Sequence, residues 1–239
     1  MPSQVREKNI LHFTVVWGTM PSAYTKHTPK ICAASGFAGA AAGGYVMSDK
    51  KIKKMVGLSI FTAIVVVLQL LGSFIKIGTF SFSLVLIPIV VGAAVYGPGA
   101  GAFLGGVFGA VVTIACANGS DYGGSILFTA NPFLTIFICM LKGILAGAAA
   151  GGVYNLAAKK NVYLGVFLAA VAAPVVNTGL FCLSLELFFH SILVDWAGGK
   201  DLVYYIFVVL VGVNFLLELA ANVVCSPVIF RIIKLVRKS

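Results

Sequence analysis

The sequence predicts an all-α membrane protein: a compact bundle of six transmembrane helices with both ends in the cytoplasm. Three observations predict this fold class: the apolar composition, the number of apolar runs and the placement of the basic residues. Hydrophobic residues make up 60% of the 239 residues and charged residues 10%, and the mean hydropathy is +1.04. A soluble domain carries about 25% charged residues. A chain of this composition buries its apolar side chains in a bilayer.

Six apolar runs have the length of membrane spans, since a helix needs roughly 20 residues to cross a bilayer. The second run contains Pro88, and the fourth is entered through the segment "TANP". Short connections between the runs predict one bundle rather than separate domains. In chain order the runs are Met55–Ile75, Phe80–Tyr96, Ala100–Ala117, Phe133–Tyr154, Val162–Phe189 and Val203–Val224.

The basic residues predict the orientation of the bundle. With six spans, both ends of the chain lie on one side of the membrane. That side receives Lys50, Lys51, Lys53, Lys54, Lys159, Lys160, Arg231, Lys234, Arg237 and Lys238, whereas the other side receives Lys76 and Lys200. Cytoplasmic loops carry the excess of Lys and Arg, so both ends are predicted to be cytoplasmic. The net charge of +10 therefore indicates membrane topology, and no nucleic-acid partner is expected.

The first 46 residues differ from the rest of the chain. They end in "ICAASGFAGAAAGGYV", which is rich in small residues and too short to cross a membrane. They lack a convincing apolar core between a basic start and a cleavage site, so they do not form a good signal peptide. Met47 is followed by "SDKKIKK" and then by the first apolar run. We predict an N-terminal extension, residues 1–46, that is dispensable or precedes the true start, and a transmembrane domain, residues 47–239.

Glycines recur every four residues in the segment "GPGAGAFLGGVFG" and again in the fourth run. A phosphate-binding loop would need GxGxxG or GxxxxGK[ST] after a strand, and neither pattern is present. Glycines at i, i+4 and i+8 instead line one face of a helix and let two helix backbones approach closely in a membrane. The predicted helix-packing residues are Gly97, Gly101, Gly105, Gly109, Gly143, Gly147 and Gly151.

The sequence contains no motif for covalent chemistry or for nucleotide binding. There is no HExxH motif, no nucleophile elbow and no Cys/His cluster, so we expect neither an enzyme nor a metal or cofactor site. The five cysteines are scattered and predicted to be small core residues: Cys32, Cys116, Cys139, Cys182 and Cys225. Uphill movement of a solute would therefore need an ion gradient or a separate ATPase.

Three ionisable residues lie inside the predicted spans, where a charge costs about 2.5–3.5 kcal/mol on the insertion scale. At 1.5 Å per residue, Lys142 and Glu218 both lie about 22 Å inside the membrane. Equal depth allows an ion pair, which acts either as a structural lock or as part of a ligand site. Glu186 lies on roughly the opposite face from Asn177 and pairs better with His190 at i+4.

A polar stripe marks the sixth run, where Asn214, Glu218 and Asn222 are spaced at i, i+4 and i+8. Asn177 of the fifth run lies at about the depth of Asn214, roughly 17 Å. Amides both donate and accept hydrogen bonds, so these side chains bind a polar ligand or join helices to each other. The candidate ligand-binding residues are Asn131, Asn177, Thr178, Asn214 and Glu218, with Lys142 as an ion pair or ligand contact.

Two segments resemble a known family of membrane proteins. "SFSLVLIPIVVGAAVYGPGAGAFLGGVFG", Ser81–Gly109, resembles the second and third spans of the substrate-binding S components of energy-coupling factor (ECF) transporters. "APVVNTGLF", Ala173–Phe181, resembles the Asn-Thr segment of their fifth span. The resemblance covers about Met47 to the C-terminus and is strongest for the vitamin-binding members that include pantothenate and folate carriers.

The resemblance implies a six-helix protein of the cell membrane that binds one water-soluble vitamin from outside, with pantothenate as the first expectation. It implies two kinds of partner, a membrane scaffold subunit and two cytoplasmic ATPases, and an S component that topples in the membrane to carry its ligand inward. The pocket would lie in the outer half, lined by Asn131, Asn177, Thr178 and Asn214, with Glu218 at its floor. The Ala-xxx-Ala face that docks on the scaffold matches Ser59 and Ala63, where the serine weakens the match.

Two other classes of function stay open at the level of the sequence. A self-contained secondary transporter would use Glu186, Glu218 and Lys142 as a proton or ion relay, although no convincing inverted repeat accompanies them. A structural or assembly protein would use its glycine faces only to pack partners and would bind no small molecule.

Overall fold

Helices account for nearly all of the computed structural model, which describes residues 49–72, 76–77, 80–81, 84–210 and 212–238. The predicted extension 1–46 and the predicted start at Met47 lie outside the described residues. The elements in chain order are α1 (Asp49–Gly72), β1 (Lys76–Ile77), β2 (Phe80–Ser81), α2 (Leu86–Tyr96), α3 (Pro98–Ala117), α4 (Tyr122–Ala130), α5 (Pro132–Ala157), α6 (Val162–Phe188), α7 (His190–Ala197), α8 (Leu202–Tyr204), a π-helix (Tyr205–Leu210) and α9 (Gly212–Lys238).

The all-α membrane class is confirmed. Five helical segments in the described part are long and apolar enough to cross a membrane, and α2 is a shorter apolar helix. The exact number of six transmembrane helices and the cytoplasmic location of both ends stay predictions. The five segments are Lys51–Gly72, Pro98–Ala117, Pro132–Ala157, Val162–Phe188 and Phe215–Leu235.

The predicted spans differ in their boundaries from the helices of the structure, most clearly in the second and the last run. The second run was expected to be helical from Phe80, but Phe80–Ser81 pairs antiparallel with Lys76–Ile77, and the helix begins at Leu86. Aromatic and serine residues alternate there as "FSFS", a period of two that favours a strand. The last run was expected to end at Val224, but α9 continues to Lys238. Basic residues in its final turns are favourable at a helix C-terminus.

Local signals set the turns between the long helices. Gly97 joins α2 to α3 with φ +94°, a conformation that only glycine adopts without strain, and Pro98 follows at the first turn of α3. The Asn131 side chain caps α5 by accepting a hydrogen bond from the Leu134 backbone N–H at 3.2 Å. The Asn161 side chain accepts from the Tyr163 N–H at 2.9 Å and caps α6. These short turns make neighbouring helices antiparallel.

Helices α3 and α5 pack with their backbones in contact through the glycines. A Cβ added to Gly105 would collide with the backbone oxygen of Gly143, and one added to Gly101 would collide with that of Gly147. A Cβ on Gly109 would lie 2.5 Å from the Cys139 carbonyl oxygen. Gly151 packs in the same way on the backbone of Pro98. Gly97 has open space around it, so the turn, rather than packing, requires the glycine at that position.

The two ends of the bundle differ in chemistry. One end of the bundle holds the start of α1, the turn between α5 and α6 and the end of α9. This end carries the lysines of the first turns of α1, Lys159 and Lys160 of the turn, and the basic residues of the last turns of α9. At the other end lie the short helices α4 and α7. A small apolar cluster holds these short helices on α5 and α6: Leu127, Ile138, Leu185, Phe189 and Leu193. We call the end of the bundle that carries these two short helices the α4–α7 end.

Candidate functional site

A cavity opens at the α4–α7 end of the bundle, between α1, α3, α5, α6 and α9, with α4 and the Phe189 turn against it. Its volume is about 100 Å³. Such a space suits one small polar solute. The cavity is lined by Gln69, Phe108, Val112, Cys116, Asp121, Gly124, Leu127, Thr135, Ile138, Cys139, Lys142, Asn177, Thr178, Phe181, Ser184, Leu185, Phe189, Phe215 and Glu218.

The cavity wall combines a few polar groups with a largely aromatic and aliphatic surface, as is typical of small-molecule sites. Four phenylalanines supply apolar area: Phe108, Phe181, Phe189 and Phe215. The polar groups come from five different helices and converge on the same space. Two free thiols, Cys116 and Cys139, are buried in the wall beside them.

Lys142 and Glu218 both face the cavity, but they do not form a direct ion pair. Among the described residues, the ion pair within 4.0 Å is Glu186 with His190, whose Oε1 and Nδ1 are 3.2 Å apart. That pair is exposed at the α6–α7 junction, as its i+4 spacing predicted, and lies outside the cavity lining. The Lys142 ammonium lies 4.6 Å from the centroid of the Phe181 ring, in a cation–π contact.

Four residues predicted from the sequence meet in the cavity: Lys142, Asn177, Thr178 and Glu218. Asn177 is 8% exposed, and among the described residues its Oδ1 has no hydrogen-bond partner. An amide oxygen in such a position is available to a ligand donor.

Other predicted residues lie elsewhere. Asn131 is exposed and caps α5, because an asparagine before a proline is suited to begin a helix. Asn222 is fully buried one turn below the cavity, where its Nδ2 donates to the Glu218 carbonyl oxygen at 2.9 Å. Asn214 lies on α9, but its side chain is outside the described part of the structure.

The predicted docking pair lies on an exposed face of α1. Ser59 and Ala63 are both exposed, and the Ser59 hydroxyl donates to the Met55 carbonyl oxygen at 2.9 Å within the helix. The same helix exposes a series of large apolar side chains, namely Ile52, Met55, Val56, Ile60, Ile64, Val67, Leu70 and Leu71. Helix α1 is accordingly the least buried of the five long apolar segments.

Sequence reasoning missed several polar residues of the cavity. Gln69 is 5% exposed and is a single amide inside the first apolar run, a signal that was available in the sequence. Thr135 and Ser184 gave no such signal, because Ser and Thr commonly occur in helices with the hydroxyl bonded to the carbonyl four residues earlier. Both hydroxyls make that bond in the structure. Asp121 lies before the unpredicted helix α4 and enters the site because that helix folds over the cavity.

Comparisons with known proteins match most of the chain. Residues 53–230 match the family described as ECF transporter, substrate-specific component. The pantothenic acid transporter PanT of Lactococcus lactis subsp. cremoris (strain MG1363) is 32% identical over 198 residues, which span 77% of this chain and 94% of the relative. A solved structure of ThiT from Listeria monocytogenes is 19% identical, with a TM-score of 0.49 over 80% of this chain and 97% of the ThiT chain.

Proposed function

The chain belongs to the family of ECF transporter substrate-specific components, and on this premise we propose that it captures pantothenate outside the cell and delivers it inward with a separate ATP-driven module. It is a multi-pass protein of the cell membrane. The observation that carries the proposal is the cavity at the α4–α7 end, in which Lys142, Asn177, Thr178 and Glu218 converge. The PanT relative supports pantothenate as the cargo.

Pantothenate has the chemistry that such a wall can bind. It carries a carboxylate, an amide, two hydroxyls and a branched apolar centre. The amide of Asn177 and the hydroxyl of Thr178 can both donate and accept, and the Glu218 carboxylate accepts from ligand hydroxyl or N–H groups. The phenylalanines bury the branched centre. Specificity comes from satisfying every buried polar group of the ligand, because an analogue that leaves one of them unpaired binds poorly.

The position of the cavity supports capture from outside. It lies at the end of the bundle opposite the lysines and arginines, and the basic end is the cytoplasmic end under the positive-inside rule. Helix α4 and the start of α7 lie over this end and would close the site over its ligand.

Delivery inward is proposed to depend on partners, namely a membrane scaffold subunit and two cytoplasmic ATPases. The exposed apolar face of α1, with Ser59 and Ala63 at four-residue spacing, is the proposed docking surface for the scaffold. Small side chains at that spacing let a second helix approach closely in a membrane. In this scheme ATP hydrolysis by the partners supplies the energy.

A ligand panel tests the proposed cargo. The full chain is purified in detergent, and its thermal unfolding is measured with pantothenate, folate, thiamine, riboflavin and biotin added one at a time. A ligand at 100 times its dissociation constant adds about 2.7 kcal/mol to the stability of the folded state. We expect this increase with pantothenate and not with the other vitamins. A folded protein that responds to another vitamin, or to none, contradicts the proposal.

A further inference from the structure

We infer that Lys142 binds the carboxylate of the ligand and thereby selects an anionic vitamin over its uncharged analogues. The inference deepens the proposed function and rests on it. Among the described residues that line the cavity, Lys142 is the one basic residue. It lies ten residues into α5, about 15 Å from the first turn at 1.5 Å per residue.

The Lys142 ammonium makes no direct ion pair in the described part of the structure. The ion pair within 4.0 Å in the described part of the chain involves Glu186 and His190, so no carboxylate there contacts the Lys142 ammonium directly. The Phe181 ring, at 4.6 Å, offers a cation–π contact, which positions the ammonium but does not neutralise it. A charged group in a membrane-spanning helix is costly and commonly marks a substrate path or site. A ligand carboxylate supplies a direct ion-pair partner.

Glu218 lies on the side of the cavity that would hold the other end of the ligand. It lines the same cavity from α9, whereas Lys142 lines it from α5, and the two groups are not in contact. Lys142 is the one basic side chain among the described lining residues, so the acid end of the ligand points toward α5. The hydroxyl end then lies toward α6 and α9, where Asn177, Thr178 and Glu218 can pair with its donors.

Two ligands with the same skeleton but different charge test this assignment. Pantothenol has the pantothenate skeleton with a hydroxymethyl group in place of the carboxylate, so the two compounds differ mainly in the charge that Lys142 would bind. Binding of each is measured by titration calorimetry on the full chain in detergent. The wild-type protein is expected to prefer pantothenate by roughly tenfold or more, as a charge-assisted hydrogen bond requires. In Lys142→Gln this preference is expected to disappear through weaker binding of pantothenate, with pantothenol affinity changed less than about threefold.

Lys200→Gln is the matched control, because Lys200 is exposed in the turn before α8 and lies outside the cavity lining. It is expected to keep the wild-type preference. Lys142→Arg keeps the charge and is expected to keep a preference for pantothenate. If Lys142→Gln does not fold, Glu218→Gln gives a second test, because it leaves Lys142 in place and is expected to keep the preference for pantothenate. A decrease in Glu218→Gln, or an unchanged preference in Lys142→Gln, overturns the inference.

The outcomes separate this inference from the proposed function. A wild-type protein that binds neither compound overturns the proposed cargo, and the inference falls with it. A wild-type protein that binds both compounds equally leaves the cargo in place and overturns the inference alone. A structural lock between Lys142 and Glu218 predicts a third pattern, in which each single variant lowers thermal stability and the double variant restores it. That pattern also overturns the inference.

Discussion

Asn177 is the residue whose surroundings most directly separate a ligand role from a structural role. Its side chain is buried, yet in the described part of the structure its Oδ1 bonds to no protein donor. A buried amide that served only to join helices would be hydrogen-bonded across the interface. The unpaired Asn177 Oδ1 therefore favours a hydrogen bond to the ligand over one that joins two helices.

Replacement of Asn177 by alanine is expected to weaken pantothenate binding by roughly tenfold, since one hydrogen bond to the ligand is lost. Thermal stability without ligand is expected to change little, because Asn177 Oδ1 makes no protein hydrogen bond. Titration calorimetry and thermal unfolding of the same preparation measure the two quantities. Unchanged affinity would mean that Asn177 is not a ligand contact.

Asn131→Ala is the complementary control for this experiment. Asn131 caps α5 and is exposed, so its loss is expected to lower stability by about 1 kcal/mol without an effect on intrinsic affinity. The Asn177 variant is thus expected to lose affinity and keep stability, and the Asn131 variant to lose stability and keep affinity. Equal losses of affinity in both variants would indicate a general loss of structure instead.

The sequence was informative about site residues whose chemistry conflicts with a membrane. Lys142, Asn177 and Glu218 were identifiable because a charge or amide in an apolar run needs a reason. Asn131 is a ligand candidate through its place at the start of the fourth run and through the family resemblance, whereas in the structure it caps α5 before Pro132. Asp121 was missed because its place depends on how α4 folds over the cavity, and no local pattern encodes that contact.

At the scale of single elements, the predicted helix starts agree with the structure wherever the sequence contains a local signal for a turn. Helices α3, α5 and α6 begin within two residues of their predicted starts because Pro98, Pro132 and Asn161 mark the turns. The late start of α2 was missed because the second apolar run begins at Phe80 and continues through β2 into the helix, and β1 lies in the connection between the first two runs. Hydropathy alone does not distinguish a short apolar strand from a helix end.

The contact between α3 and α5 predicts how glycine substitutions behave. Gly105→Ala is expected to lower stability by about 1–3 kcal/mol, because its Cβ would collide with the Gly143 backbone and the two helices must move apart. Gly152→Ala in α5 has open space at the Cβ position and is expected to raise stability by about 0.5–1 kcal/mol, the difference in helix propensity. Thermal unfolding in detergent compares them. Similar effects of both substitutions would argue against close α3–α5 packing.

At the scale of the whole molecule, the separation of basic and cavity-bearing ends predicts the topology. With the native cysteines replaced by serine, Lys200→Cys is expected to react with a membrane-impermeant maleimide in intact cells. Lys160→Cys, at the turn between α5 and α6, is expected to react only after the membrane is opened. Both positions are exposed, so access from one side decides the result. Labelling of Lys160→Cys in intact cells would contradict cytoplasmic ends.

The same two helices pack against each other and line the cavity, but at different positions along their length. In α5 the glycines at 143, 147 and 151 contact α3, whereas the cavity is lined by the segment 135–142. In α3 the glycines at 101, 105 and 109 make the contact, and the lining residues extend from 108 to 116. Substitutions near the α4–α7 end can therefore alter which nutrient is taken up without disturbing the helix pairing below. In evolutionary terms, we expect a lineage carrying this scaffold to change its cargo through a few mutations of the cavity lining, while the glycines of the α3–α5 contact stay the same.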